Sequence, residues 1–191
     1  MVGSGFSGTM AAVHLLDRAV SDAGPALSVC LVERDAVLGA GVAYGAEAAC
    51  HRLNVPAGKM SAFADDASHF VRFARSRMRG AGPASYLPRS LYGDYLRAIL
   101  AEHRQRSEGE GAHFERIHAE AIDVAPIEAG ARLRVQLNGR SPIDADAVVL
   151  AVGNLPPADI ACADDAFLGS AAYARDPWQK DALDVAPDAA V

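Results

Sequence analysis

Three glycines near the start of the chain carry the clearest chemical pattern. Gly3, Gly5 and Gly8 form the spacing Gly-x-Gly-x-x-Gly directly ahead of a helical pattern, with Phe6 and Ser7 between the second and third glycines. In a dinucleotide site the first glycine permits a tight turn, and the second lets the backbone approach a pyrophosphate. The third allows close helix–strand packing, so that the helix N-terminus faces the phosphates. The motif predicts a dinucleotide site.

An acidic residue stands where such a site needs a partner for the ribose. Glu33 closes the apolar run that begins at Leu27, 25 residues after Gly8, and Arg34 follows it. A carboxylate at the end of the second strand can accept hydrogen bonds from ribose hydroxyls. The glycine motif is weak by itself, but together with Glu33 it favours a dinucleotide site over a chance turn and an ordinary strand-end acid.

The remaining composition excludes several other kinds of site. Cys30, Cys50 and Cys162 show neither a CxxC pair nor a Cys/His ligand spacing, so we expect no metal site and no disulfide framework. Free thiols are typical of a reducing compartment, which predicts a cytoplasmic protein. A net charge of −6 argues against a nucleic-acid partner. No apolar run reaches the roughly 18 residues of a membrane span, so no membrane partner is expected.

The elements that position these residues alternate between helix and strand. Apolar residues at helical spacing predict a first helix that stops near residues 22–25, and residues 27–32 predict a buried parallel strand. Residues 34–65 read as a long functional loop. Two helices are then predicted, one from about residue 66 to 78 and one from residue 89 or 90. A glycine-rich loop, a helix and a strand form most of a βαβ unit.

Beyond residue 112 the apolar pattern changes to a period of two. One strand is predicted from Ile117 to about residue 125, and an alternating strand over residues 132–137. Asn138-Gly139 then predicts a tight hairpin turn in which both residues need positive φ. Residues 147–152 are predicted to form a fully buried strand that ends at Gly153.

The strand ahead of the glycine motif is unusually short in this sequence. Only Met1 and Val2 precede Gly3, although a strand there should have about five residues. We therefore expect a truncated first strand, from a chain that is a fragment or that has a misassigned start.

Three longer segments carry a family resemblance: LVERDAVLGAGVAYG (31–45), HRLNVPAGKMSAF (51–63) and LPRSLYGDYL (87–96). Together they resemble a bacterial FAD-NAD(P)-binding family related to FAD-dependent urate hydroxylase and aspartate N-monooxygenase. The resemblance spans about residues 2–157, with a weaker echo at residues 176–178. Residues 148–154 are similar to the second glycine motif of flavoproteins with two dinucleotide-binding domains, although Val152 replaces its threonine.

The resemblance implies FAD as the bound cofactor and NAD(P)H as the co-substrate of the complete enzyme. It implies that the loop carrying Gly41, His51, Asn54 and Met60 lies near the isoalloxazine, and that backbone groups around Ile122 face the adenine. His51 as a proton carrier and His51 as a structural residue both stay open. Arg89, Tyr92 and Tyr95 either line a cofactor groove or serve capping and packing. The candidate cofactor-binding residues are Gly3, Gly5, Phe6, Ser7, Gly8, Glu33, Arg34, Gly41, His51, Asn54, Met60, Ile122 and Gly153; no catalytic residue is assigned.

The expected fold class is α/β, a Rossmann-like three-layer FAD/NAD(P)-binding fold with a parallel sheet, a β-meander and a truncated first strand. We expect one domain over residues 1–157, with a helical insertion at about 66–106, and an irregular start of a downstream region over 158–191. The leading hypothesis is the FAD-binding segment of a flavin-dependent, NAD(P)H-using oxidoreductase of monooxygenase type. A non-catalytic gene fragment or pseudoenzyme is an alternative, because the first strand is truncated and no second Gly-x-Gly-x-x-Gly follows residue 45. An NAD-dependent dehydrogenase is a second alternative.

Overall fold

The computed structural model describes residues 1–21, 26–39, 41–45, 51–178 and 182. The predicted stop of the first helix at residues 22–25 and Cys50 lie outside the described residues. The helices are α1 (Phe6–Ser21), α2 (Gly41–Tyr44), α3 (His69–Arg77), α4 (Arg89–Ser107) and α5 (Asp165–Leu168), with short 3-10 turns at Ala57–Lys59 and Glu128–Gly130. The strands are β1 (Leu27–Glu33), β2 (Ala112–His118), β3 (Ala121–Ile127), β4 (Arg132–Leu137) and β5 (Arg140–Ala145).

A parallel sheet lies at the centre of the fold. β1 and β2 pair in parallel from Leu27 opposite Ala112 to Glu33 opposite His118. On the other side of β1, the Gly3 N–H donates to the carbonyl of Val32 at 2.9 Å. This arrangement confirms the expected α/β class with a parallel sheet.

Residues 1–3, which end at the first glycine of the motif, occupy the central position of the parallel sheet. Val2 makes parallel bridges to Val32 on one side and to Leu150 on the other. The Val2 N–H donates to the Val149 carbonyl at 2.9 Å, and the Ala151 N–H donates to the Val2 carbonyl at 2.8 Å. The sheet order is therefore β2, β1, residues 1–3 and residues 149–151, and the first strand is as short as predicted but paired on both sides.

The prediction of a fully buried strand over residues 147–152 was wrong. Val149 is 42% exposed, and Leu150 and Val152 are each 63% exposed. These residues occupy the outer position of the parallel sheet, and within the described ranges no strand pairs with their far side. An apolar run indicates that its residues tend to be buried, but the neighbouring elements determine whether they are buried.

The predicted strand beginning at Ile117 is also corrected, because it is two strands. β2 ends at His118, and β3 begins at Ala121 in a separate antiparallel sheet of order β3-β4-β5. This sheet is the expected meander. Its Val135 and Leu137 are buried, and they pack with Val32 of the parallel sheet.

The hairpin between β4 and β5 has the predicted position but not the predicted backbone. Gly139 has a φ of +67°, whereas Asn138 is not among the described residues with positive φ. The Asn138 N–H donates to the carbonyl of Glu120 at 2.8 Å, so its backbone is held by the residue before β3 as well as by the turn.

Helices α1, α3 and α4 form a layer on one face of the parallel sheet. The two helices predicted after the long loop correspond to α3 and α4, and α4 packs against α1. Phe70, Tyr95 and Leu96 are fully buried there, as are Val13 and Leu16 of α1. The apolar faces read from the sequence are therefore the faces that build this core. Within the described residues no helix is both long and apolar enough to cross a membrane.

Candidate functional site

A cavity of about 390 Å³ opens at the carboxyl ends of the parallel strands, beside the start of α1. Open parallel sheets bind ligands in this place, because the loops leaving adjacent strands diverge there. The walls come from five stretches of chain, at residues 2–6, 32–35, 41–44, 119–121 and 151–154. They bring together Gly3, Gly5, Phe6, Glu33, Arg34, Gly41 and Gly153 of the predicted site residues.

The three glycines of the motif are required for different reasons. A Cβ on Gly3, whose φ is +92°, would lie 2.3 Å from the carbonyl oxygen of Ala151. A Cβ on Gly8 would lie 1.9 Å from the carbonyl oxygen of Gly3. At Gly5 the nearest atom is the Cα of Gly41 at 3.9 Å, which is ordinary contact. Protein packing therefore demands glycine at positions 3 and 8, whereas the backbone of Gly5 faces open space in the cavity.

Glu33 stands at the floor of the cavity as a buried carboxylate with three donors. It is 8% exposed. Its Oε2 accepts from the Ser4 N–H at 2.7 Å and from Ser4 Oγ at 2.8 Å, and its Oε1 accepts from the Asp35 N–H at 3.0 Å. Burial acts to raise the pKa of Glu33, but the hydrogen bonds from Asp35 and Ser4 outweigh it and hold the pKa below its ordinary value. The hydrogen bonds therefore both orient the Glu33 carboxylate and favour its ionised form.

Ser4 is a site residue that the sequence analysis missed. It is fully buried. Its carbonyl accepts from Thr9 Oγ1 at 2.9 Å, and its hydroxyl accepts from the Gly39 N–H at 3.4 Å. Ser4 therefore joins the glycine loop, Glu33 and the loop after β1. The signal available in the sequence was a hydroxyl residue between two glycines of the motif.

The loop after β1 folds back over the glycine loop. Gly41 has a φ of +50°, and a Cβ there would lie 3.1 Å from the Cα of Gly5. Tyr44, in the same short helix, lines the cavity, and its ring centroid lies 4.7 Å from that of Tyr92. Tyr92 and Tyr95 are buried in the helical core and not among the cavity walls, which favours their interpretation as packing residues.

Six predicted site residues lie outside the cavity walls. Ser7 and Gly8 are in the first turn of α1, and Met60 packs against the helical core. His51 stacks on Trp178 with ring centroids 5.2 Å apart, and the Arg89 guanidinium lies 5.3 Å from the same indole ring. The roles of all six predicted residues toward a cofactor stay predictions. The residues outside the walls are Ser7, Gly8, His51, Asn54, Met60 and Ile122.

The resemblance implies that backbone groups around Ile122 face the adenine, and the structure places the residues just before Ile122 in the cavity walls. Ile122 is 62% exposed, whereas Ala119, Glu120 and Ala121 line the cavity. These three residues reach the cavity because the chain leaves β2 at His118 and crosses the strand end before β3 begins. The sequence pattern merged the two strands and so hid this crossing. Among the described residues no group of three or more His, Cys, Asp or Glu could hold a metal ion.

Comparisons with known proteins give relatives that are longer than this chain. Uncharacterized proteins of Mycobacterium bovis and of two Mycobacterium tuberculosis strains are each 26% identical to it over 197 residues. The alignments cover 85% of this chain and 37% of each relative, so the chain spans little more than a third of their length.

Two solved structures match parts of this chain at low overall similarity. The crystal structure of FqzB matches with a TM-score of 0.42 and 16% identity, over 76% of this chain and 33% of that one. The crystal structure of AlpK matches with a TM-score of 0.40 and 16% identity, over 75% of this chain and 28% of that one.

The family comparison covers the glycine loop, Glu33, the meander and the strand segment after it. A family model described as FAD-NAD(P)-binding matches residues 1–155. This range includes every wall of the cavity. The chain belongs to the FAD-NAD(P)-binding family.

Proposed function

We propose that this chain binds FAD in the cavity and is the FAD-binding part of a flavin-dependent, NAD(P)H-using oxidoreductase of monooxygenase type. The pyrophosphate would face Gly5 and the first N–H groups of α1, and the adenosine ribose would face Glu33. The kinship with urate hydroxylase and aspartate N-monooxygenase is part of the proposal and rests on the three resembling segments. Because the chain spans 37% of its curated relatives, the activity and substrate of the whole protein are proposals too.

One observation carries the cofactor proposal: the glycine at position 5 has no packing reason to be glycine. Its φ is ordinary, and an added Cβ would meet only the Gly41 Cα at 3.9 Å. Space left beside a helix N-terminus suits a phosphate, which the partial positive charge and the N–H groups of the first turn attract. A pyrophosphate can approach the backbone closely only where no side chain intervenes.

Different residues of the cavity would contact different parts of such a ligand. Glu33, oriented by Ser4 and Asp35, presents acceptors for the ribose hydroxyls. Phe6, 40% exposed, and Tyr44 supply apolar surface to the cavity walls. Bound FAD would supply hydride acceptance and oxygen chemistry, and the chain would supply positioning and exclusion of water.

The test is reconstitution of the full chain with FAD, followed by removal of free flavin and measurement of the retained visible absorbance. The informative variant is Gly5→Ala, because its methyl group enters the cavity without meeting the protein. Gly82→Ala is the matched control, since a Cβ there would meet only Ser85 Oγ at 4.0 Å. We expect Gly82→Ala to retain FAD like the wild type and Gly5→Ala to lose at least about tenfold in affinity.

Three results would contradict the proposal. A wild-type chain that retains no flavin would favour the non-catalytic alternative. Preferential retention of NAD over FAD in a parallel binding assay would favour the dehydrogenase alternative. Equal FAD retention by Gly5→Ala and the wild type would show that the glycine loop does not contact the bound FAD.

A further inference from the structure

The end of the cavity beyond Glu33 is built by the residues that follow β2. The Ala119 N–H donates to the Glu33 carbonyl at 3.0 Å, so residues 119–121 lie beside the end of β1. In the sheet order they stand on the side of β1 away from the glycine loop. A dinucleotide with its pyrophosphate at Gly5 and a ribose at Glu33 therefore has its purine base against residues 119–121.

Glu120 is the residue of this segment whose side chain can distinguish one base from another. Ala119 and Ala121 present only methyl groups and backbone there. Asn138 Nδ2 donates to Glu120 Oε2 at 3.2 Å, and the Asn138 N–H donates to the Glu120 carbonyl at 2.8 Å. The β4–β5 turn thus tethers both the backbone and the carboxylate of Glu120. An ionised carboxylate accepts at about four lone-pair positions, so this single side-chain bond leaves further acceptor sites.

We infer that Glu120 is a specificity-determining residue, whose carboxylate accepts a hydrogen bond from the exocyclic amino group of adenine. The inference rests on the proposed function, since it takes the ligand to be an adenine dinucleotide. A carboxylate has no proton to donate at neutral pH, so a base with a carbonyl oxygen at that position would meet it oxygen to oxygen. Glu120 is exposed, so the oxygen-to-oxygen contact itself, and not the burial of an unpaired carboxylate, would disfavour such a base.

The groups next to Glu120 in the cavity make other contacts. Glu33 is engaged by Ser4 and Asp35, and its position suits the ribose. The Arg34 carbonyl is held by His118 Nε2 at 2.9 Å, which fixes the turn between Glu33 and the base end. Glu120 alone belongs to the segment that faces the base, so its substitution should change base preference more than overall nucleotide affinity.

The experiment compares ADP with IDP, in which a carbonyl oxygen replaces the 6-amino group, by calorimetric titration of the full chain. We expect the wild type to bind ADP about tenfold more tightly than IDP. Glu120→Gln should bring the two within about twofold, because its amide can present either an acceptor or a donor. Asn138→Ala should give an intermediate ratio by releasing the carboxylate. The matched control is Glu115→Gln, an equal charge change on an exposed β2 residue outside the cavity walls.

The outcomes separate this inference from the proposed function. If ADP binds but the ADP-to-IDP ratio in Glu120→Gln equals that of the wild type, the inference is wrong and the dinucleotide site stands. Equal binding of ADP and IDP by the wild type also overturns it. A wild-type chain that binds neither ADP nor FAD overturns both. Circular dichroism of each variant verifies the fold, and Glu120 is exposed, so the substitution is tolerated structurally.

Discussion

Ser4 donates two hydrogen bonds to a single oxygen of Glu33, from its backbone N–H at 2.7 Å and from its hydroxyl at 2.8 Å. This pair connects the glycine loop with the end of β1, two elements that are 29 residues apart in the chain. The third donor, the Asp35 N–H, completes the shell. The ribose partner of the proposed site is therefore also a structural tie between the two strands on which the site is built.

The Glu33 tie predicts a pH-dependent stability. The pKa of Glu33 is lowered in the folded chain from its ordinary value of 4.5, so the folded state binds its proton less readily than the unfolded state. Its stabilising contribution is full above about pH 4.5 and is lost as the pH falls through the lower folded pKa. We expect the free energy of unfolding to fall across this window in urea titrations of the wild type.

The variant Glu33→Gln isolates that contribution. It should lower the free energy of unfolding at pH 7 by about 1–3 kcal/mol, because the amide nitrogen replaces one carboxylate oxygen and cannot accept the hydrogen bonds donated there, either those of Ser4 or that of Asp35. Its stability should vary less than that of the wild type between pH 5 and pH 3.5. Parallel pH curves for the two proteins would show that other carboxylates produce the dependence.

The glycine loop predicts opposite outcomes for two similar substitutions. Gly8→Ala places a Cβ 1.9 Å from the Gly3 carbonyl oxygen, so the helix start and the loop must separate. We expect a loss of about 2–4 kcal/mol in the free energy of unfolding, against a change within about 0.5 kcal/mol for Gly5→Ala. Chemical denaturation of both variants measures the contrast. Similar losses at the two positions would contradict the different packing of the two glycines.

The outer position of residues 149–151 predicts a tolerant apolar site in this chain. Leu150 is 63% exposed, so Leu150→Ser should change the free energy of unfolding by less than about 0.5 kcal/mol. Leu31, fully buried in β1, is the control, and Leu31→Ala should cost about 2–5 kcal/mol. A large loss for Leu150→Ser would restore the prediction of a buried strand.

The contact between α1 and α4 includes a polar pair at its edge. His103 Nδ1 lies 2.6 Å from Asp17 Oδ1, and His103 is 7% exposed. We expect a double-mutant cycle with His103→Gln and Asp17→Asn to give a coupling energy of about 1 kcal/mol. The cycle needs Arg106→Gln as a background, because the Arg106 guanidinium lies 3.7 Å from the same carboxylate oxygen. Additive losses in both backgrounds would show that the two side chains are not coupled.

The candidate site could be predicted from the sequence wherever a residue's role is local. Gly3, Gly5 and Glu33 were predicted because spacing along one βα unit places them at one strand edge. Glu120 was not, since it reaches the cavity through the break between β2 and β3, which apolar periodicity cannot show. His51, Asn54 and Met60 lie between α2 and α3, outside the helices and strands, and the structure places them away from the cavity walls. Their assignment still rests on the resemblance.

By itself, the sequence determined the alternation of helix and strand, the glycine loop and the acidic strand end, because backbone conformation and apolar periodicity are local properties. Only the tertiary structure decided that residues 1–3 pair on both sides, that Val149, Leu150 and Val152 lie exposed, and that Ser4 and Glu120 join the cavity. Each of these depends on which distant segment lies alongside. Whether a residue is buried or paired depends on the segment that packs against it. The sequence of one segment does not specify which other segment that will be.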